Sequence, residues 1–261
     1  MLAIIGGTGL TNLANLQITR REVVRTPYGE PSGHLTFGQI AQGNARAEVI
    51  FLARHGYGHT IPPHEVNYRA NIWALQSAGV TRVLAVNSVG GVSAEMGPGV
   101  IAVPDQLIDY TWGRKHTMFE GDAPVTHIDF TFPYCSRARQ LYLDAARAAG
   151  VAVVEHGVLG VTQGPRLETR AEVNRLERDG CTMVGMTTLP EASLARETGL
   201  SYATLALSMN HAAGRGSSAQ GIKLEDADAV LAVGMEKVRT ILAKAVEMHA
   251  ALPAAQKGFI K

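Results

Sequence analysis

Residues 184–214 read VGMTTLPEASLARETGLSYATLALSMNHAAG, and the changes of texture along them decide the fold. A short apolar end gives way to Thr187-Thr188 and then to Pro190. That proline falls where a helix tolerates it, in the first turn, with either threonine in position to cap. Residues 201–209 are an almost unbroken apolar run, the composition of a strand covered on both faces. Asn210 and His211 follow at once, polar groups released at the end of a strand, where open α/β sheets keep their ligands. The stretch therefore reads as strand end, sharp turn, helix, buried strand and Gly-terminated loop. Both of its ends are expected to line whatever pocket the protein has.

The same alternation recurs outward from this unit. Residues 2–5 predict a first strand, closed by Gly6-Gly7-Thr8-Gly9, a turn whose backbone can approach a ligand closely. Residues 17–37 predict short strands or loop around a Pro-Tyr-Gly turn, and 47–52 a buried strand followed by the polar loop ARHGYGHTIPP at 53–63. Helical spacing covers 67–78, with Gly79 as its stop. A strand at 82–86 opens into Asn87-Ser88-Val89-Gly90-Gly91, and after a short strand at 100–103 residues 106–109 lead into a long polar loop at 110–134. Structureless loops above about 12–15 residues are uncommon in compact domains, so this one invites a functional reading. Then come a helix at 137–149, a long strand at 151–162, a helix at 169–179 and a strand at 183–184. After the opening unit, a long amphipathic helix at 224–251 ends in a loose tail. With neither repeat nor linker, the expectation is a single α/β domain over 1–261, a central mixed or mostly parallel sheet flanked by helices.

Composition narrows the function. The chain has 261 residues, 46% hydrophobic and 18% charged, with a formal net charge of +1, so no long-range field draws it to nucleic acid or membrane. No window approaches the roughly 18 consecutive apolar residues of a membrane span. The start, MLAIIGGTGL, lacks a basic leader and reads as a strand rather than a signal peptide. Cys135 and Cys181 have neither disulfide-framework nor metal spacing and read as free thiols in a reducing cytoplasm.

GGTGL after the first strand suggests a dinucleotide site, but the third glycine of that fingerprint is missing, Asn12 and Leu13 following Leu10, and no helix is expected there. A nicotinamide-dependent oxidoreductase is therefore the alternative from another class. Four strand ends say more: Thr8, Arg54-His55, Asn87-Ser88 and Thr187-Thr188. A guanidinium fork suits phosphate or carboxylate, and the adjacent imidazole offers a second donor. Each alone has a plain reading, a turn or a surface pair. Together, with no lysine or metal-ligand cluster beside them, they point to a bound oxyanion such as inorganic phosphate.

IIGGTGL, FLARHG, VNYRANIWAL, GVLGVTQGPRLET and VGMTTLPEASLARE, in this order, resemble the trimeric purine nucleoside phosphorylases and 5'-methylthioadenosine phosphorylases. The resemblance runs from residue 3 to about 214. It implies phosphorolysis: phosphate, a co-substrate, attacks the anomeric carbon of a purine nucleoside and releases free base, without metal or cofactor. By position it implies phosphate ligands at Thr8, Arg54, His55, Asn87, Ser88 and Thr187, and Met186 beneath the ribose. Leu167 stands where relatives usually place a phenylalanine against the purine, which keeps an apolar wall and loses stacking. Asn210 and His55 are the expected catalytic pair.

The resemblance also bears on which purine is cleaved. Enzymes of 6-aminopurines carry an acid where this chain has Asn210 and a second where it has Ala212. An asparagine can donate to a 6-oxo group and accept from N7–H. Glu168 matches the glutamate that accepts N1–H of a 6-oxopurine, and adenine would face it with a bare acceptor. Mispairing one buried polar contact costs about 1–3 kcal/mol. At the 5' end, hydroxyl-selecting relatives place a histidine where this chain has Ile222, Lys223 and Leu224, and an apolar Ile222 or Leu224 favours a methylthio group. His127 matches a histidine lent to a neighbouring subunit's pocket. The expectation is a 6-oxopurine nucleoside phosphorylase acting on S-methyl-5'-thioinosine, ahead of inosine and guanosine and then methylthioadenosine. The expected assembly is a cytoplasmic homotrimer or a dimer of trimers.

Overall fold

The computed structural model describes residues 1–10, 16–42 and 45–257. Strand β1 (Leu2–Gly6) is buried at every position, and its side chains alternate between two apolar layers. Leu2 and Ile4 join one layer, Ala3 and Ile5 the other. Around it lie β2 (Leu16–Glu22), β3 (Leu35–Gln42), β4 (Ala45–Ala53), β5 (Arg82–Gly91), β6 (Ile101–Ala102), β7 (Gln106–Asp109), β8 (Val158–Val161), β9 (Met183–Gly185) and β10 (Ser201–His211). The helices are α1 (Tyr68–Ser77), α2 (Ser136–Ala148), α3 (Arg170–Arg178), α4 (Thr188–Glu197) and α5 (Leu224–Ala251). The sheet runs β2-β3-β4-β1-β5-β9-β8-β7, with β10 pairing β5 and β6. It is mixed: β1 is parallel to β4 and β5, β5 to β10, while β2–β3, β3–β4, β5–β9 and β6–β10 are antiparallel.

Helices α2 and α5 cover one face through Leu141, Tyr142, Val238 and Ile241, and α1 and α4 cover the other through Ile72, Leu75, Ala192 and Leu194. Each fully buried side chain of this kind contributes roughly 1.5–3 kcal/mol. Helix α1 starts where Asn67 accepts from the Ala70 N–H at 3.1 Å and stops at Gly79, whose φ of +80° a glycine adopts without strain.

Several sequence expectations change. Strand β5 continues through Asn87–Gly91 instead of opening into a loop, because Gly90 and Gly91 pair with Val184 and Met183 of β9. The long strand expected at 151–162 shrinks to β8, with Val154 making only an isolated bridge to Ala102. The tail after α5 is tied down. Arg82, fully buried, donates to the Gln256 carbonyl at 2.9 Å and meets His249 Nδ1 at 3.0 Å, while the Thr81 hydroxyl donates to the Lys257 carbonyl at 2.7 Å. The expected absence of a helix after GGTGL falls on 11–15, outside the described residues. Cys181 is buried and Cys135 half-buried, both as free thiols. Among the described residues no helix is long and apolar enough to cross a membrane.

Candidate active site

The ends of β1, β4, β5, β9 and β10 converge on one cavity of about 430 Å³, within the usual size of a small-molecule site. Two irregularities bring its walls together. Strand β5 runs on past the end of its pairing with β1 at Ala85, stays paired with β10 through Gly91 and takes β9 as a further partner at Gly90 and Gly91, so three strand ends meet there. In β10 the register against β5 slips between Ser208 and Asn210, a bulge that lets the adjacent Met209 and Asn210 both line the cavity where a regular pleat would turn one away.

The floor is built from donors. Gly7 and Thr8 come from the turn after β1, and Gly7 cannot carry a side chain, since a Cβ would lie 2.8 Å from the Val86 carbonyl and 3.0 Å from Arg54 Nη1. Arg54, fully buried at the end of β4, donates from Nε and Nη2 to Glu191 at 2.7 and 2.8 Å and from Nη1 to the Val86 carbonyl at 3.0 Å. Burial works against its charge, and Glu191 more than compensates, so the guanidinium is held above its usual pKa. The Tyr202 hydroxyl donates to the same carboxylate at 2.8 Å. The arginine thus reaches the cavity already neutralised and fixed in one orientation.

His55 donates Nδ1–H to the Ile61 carbonyl at 2.8 Å. Burial, then the Arg54 charge, push its pKa down to about 4, so at neutral pH the imidazole is uncharged and its Nε2 is an acceptor. This corrects the expectation of a second donor. Asn87 is corrected as well. It does not line the cavity, and its amide donates to Thr187 Oγ1 at 2.6 Å while its carbonyl oxygen accepts from the Thr204 hydroxyl. With one lone pair of Thr187 occupied in this way, the hydroxyl proton is left to point elsewhere, and Thr187 lines the cavity. Ser88 also lines it, its hydroxyl 3.4 Å from the Thr8 carbonyl.

The opposite wall carries Leu167, Glu168, Asn210 and Ala212, with Met186 and Ile222 beside them. Leu167 and Glu168 sit in a turn stapled from outside. Arg166 grips Glu172 at 2.7 and 2.8 Å, and Glu172 forms a capping box with Thr169 at the start of α3. The same arginine and the Thr169 N–H hold the Glu172 carboxyl at about 2. Glu168 accepts from the Thr162 hydroxyl at 2.6 Å, and burial raises its pKa against that hydrogen bond. Asn210 uses one amide hydrogen on the His211 carbonyl at 2.7 Å, leaving a second hydrogen and its carbonyl oxygen.

Two expected substrate contacts lie elsewhere. Leu224 is 67% exposed at the start of α5 and does not line the cavity, so the apolar residue there is Ile222. His127 is exposed on the 110–134 loop and does not reach this chain's own cavity. The sequence reading missed Glu191, His59, Thr60, Ile61, Pro62, Pro63 and Thr162. Glu191 lies in the first turn of α4, where an acid is common, so its place in the sequence carries no sign of Arg54. The 59–63 run had one signal, a histidine and two prolines in the same polar loop as Arg54-His55.

Comparison with known proteins agrees with this geometry. Residues 1–247 match the family model of the phosphorylase superfamily. A relative from Pseudomonas syringae pv. tomato, named a probable S-methyl-5'-thioinosine phosphorylase, is 53% identical over 93% of this chain and 96% of its own. A 6-oxopurine nucleoside phosphorylase from Pyrococcus furiosus is 45% identical over 82% of this chain and 80% of its own. The fold superposes on methylthioadenosine phosphorylase from Schistosoma mansoni, solved with adenine, with a TM-score of 0.91 and 33% identity, covering 98% of this chain and 94% of that one. A cavity at converging strand ends, lined by Thr8, Arg54, Ser88 and Thr187 and by Leu167, Glu168 and Asn210, accompanies a match along nearly the whole chain, and this protein belongs to the phosphorylase superfamily.

Proposed function

We propose that the protein cleaves S-methyl-5'-thioinosine with inorganic phosphate, giving hypoxanthine and 5-methylthioribose 1-phosphate. The observation that carries this reading is the pairing of Glu168 and Asn210 across one wall, with Ala212 where a second acid would serve a 6-amino group. Glu168 accepts N1–H. Asn210 donates to the 6-oxo group and accepts from N7–H as the purine takes up charge. Ile222 supplies an apolar end for the 5' substituent, and Met186 lies under the sugar. The name of the Pseudomonas relative supports the same substrate.

As the glycosidic bond breaks, its electron pair goes to the purine, which takes up a proton from solvent at N7, and the sugar becomes cationic. A phosphate oxygen then bonds the anomeric carbon, and the proton that phosphate carried is released to solvent. Thr8, Ser88, Thr187 and Arg54 hold the phosphate under that carbon, an arrangement in which positioning and preorganised charge do most of the work. His55, neutral and accepting through Nε2, suits a phosphate oxygen that carries a proton. The scheme assigns every step to these side chains, to phosphate and to solvent. We place the enzyme in the cytoplasm as a homotrimer, or a pair of trimers, in which His127 reaches the neighbouring pocket.

A second reading, general 6-oxopurine nucleoside phosphorylase, is favoured by the Pyrococcus relative and differs only at the 5' end. Methylthioinosine, inosine, guanosine and methylthioadenosine, each assayed with and without phosphate, separate the two. Burying a methylthio group against Ile222 is worth about 1–3 kcal/mol, roughly ten- to two-hundredfold in kcat/KM over inosine. Methylthioadenosine should fall far behind, and Asn210→Asp should narrow that gap. Equal cleavage of methylthioadenosine and methylthioinosine would refute the roles given to Glu168 and Asn210.

A further inference from the structure

We propose that Arg114 is a positioning residue that sets the separation of the purine-side and phosphate-side walls, acting from the loop that carries His127. It rests on the phosphorolytic reading only for its kinetic test. Arg114 is 9% exposed, and its hydrogen-bond partners among the described residues are all uncharged oxygens. Nη1 donates to the carbonyls of Met186 at 2.8 Å and Leu189 at 2.6 Å, and lies 3.4 Å from the Tyr68 hydroxyl. Nη2 donates to the carbonyls of Gln163 at 2.8 Å and Thr162 at 3.3 Å.

Those carbonyls belong to the two segments that leave the adjacent strands β8 and β9. The Met186 and Leu189 carbonyls bracket Thr187, whose side chain is on the phosphate side. Thr162 and Gln163 lead into the turn of Leu167 and Glu168, and the Thr162 hydroxyl is itself the donor to Glu168 at 2.6 Å. One rigid fork therefore spans both segments, with each terminal nitrogen assigned to one of them. A loop could be anchored by an apolar side chain at lower cost, because this guanidinium is buried with its Nε unpartnered and with only the field of Asp109, not a direct ion pair, to offset its charge. A planar guanidinium is suited to bridging two backbone segments at a fixed distance, and a lysine ammonium, a single point of donation, is not. The side chain touches no reacting atom and works through Thr162, Glu168 and Thr187.

Arg114→Lys and Arg114→Ala test this. In Arg114→Lys, with unfolding temperature near wild type, kcat/KM should fall about 100-fold, the scale of an ångström of misplacement. KM should rise for phosphate and nucleoside together, and the preference for 6-oxo over 6-amino substrates should shrink. Guanidinium at tens of millimolar should restore part of the activity of Arg114→Ala, and sodium chloride at the same ionic strength should not. Loss of activity that merely tracks loss of folded protein, with both KM values and the base preference unchanged, overturns the proposal. If Arg114→Ala does not fold, wild-type kinetics in Arg114→Lys overturn it. Hydrogen exchange of the unliganded protein provides a readout independent of activity. Arg114→Lys should speed exchange in peptides covering 160–168 and 184–190 together. Unchanged exchange in either segment refutes the bridge even if the wild type cleaves no nucleoside.

Discussion

Glu191→Gln removes one charge from a pair whose two side chains are both 0% exposed, while keeping the shape of the site. The carboxylate receives Arg54 through two bonds of 2.7 and 2.8 Å and the Tyr202 hydroxyl through a third of 2.8 Å. Breaking a buried pair from one side costs about 3–5 kcal/mol, because the remaining charge stays buried without an anion. For a domain of this size that corresponds to a fall of roughly 6–20 °C in unfolding temperature, at about 2–4 °C per kcal/mol. Phosphate should recover more stability in the variant than in the wild type, since it supplies the anion Arg54 has lost. Saturation at a hundred times Kd is worth about 2.7 kcal/mol to the wild type. Thermal unfolding over a phosphate titration reads both quantities. A drop under about 2 °C would show that the pair is not buried as described. A phosphate-induced rise no larger than that of wild type would show that Arg54 does not face the phosphate. Replacing the pair by Arg54→Met with Glu191→Leu should return much of the stability and leave a phosphate response smaller than that of wild type.

Thr187→Val should raise the phosphate KM by about ten- to a hundredfold, the value of one hydrogen bond to a charged group, and leave nucleoside affinity nearly unchanged in steady-state kinetics. Mixed oligomers of His127→Ala and Asn210→Ala should regain activity if pockets are shared, and subunit-exchanged samples that stay inactive would argue against sharing. His249 is held at about 3 by burial and then by Arg82, so its folded pKa lies below the unfolded value near 6.5. Its stabilising effect is complete above about pH 6.5 and is lost as pH falls toward 3. Urea midpoints should decline over that window, and His249→Asn should flatten part of the decline, with His55 contributing in the same direction.

The unit at 184–214 was legible because its signals are local. A proline after two threonines, an apolar run and a polar end mark α4 and β10, although Thr187 makes no capping hydrogen bond, Leu189 is non-helical and β10 runs on through Asn210 and His211. Strand β5 was cut short because glycines read as loop when their partner strand lies almost a hundred residues away. The same distance hid the site's second layer. Asn87 and Thr187 looked equivalent at two strand ends, yet one orients the other across the sheet. Glu191 is ordinary beside its chain neighbours and decisive only beside Arg54. Leu224 and Ile222 differ by two positions, and only the start of α5 decides which of them turns inward.

The slip in register between Ser208 and Asn210 has a consequence for how such proteins change substrates. Pairing with β5 is regular up to Ser208 and resumes at Asn210, so the ladder does not depend on which side chains stand at 209 and 210. Both positions are only half-buried, whereas Thr204 and Leu205, a few residues back in the same strand, are sealed in the core. Mutation can therefore sample new base and sugar preferences at two adjacent sites with little risk to folding, and the strand that holds the protein together is also the one along which its chemistry is free to drift.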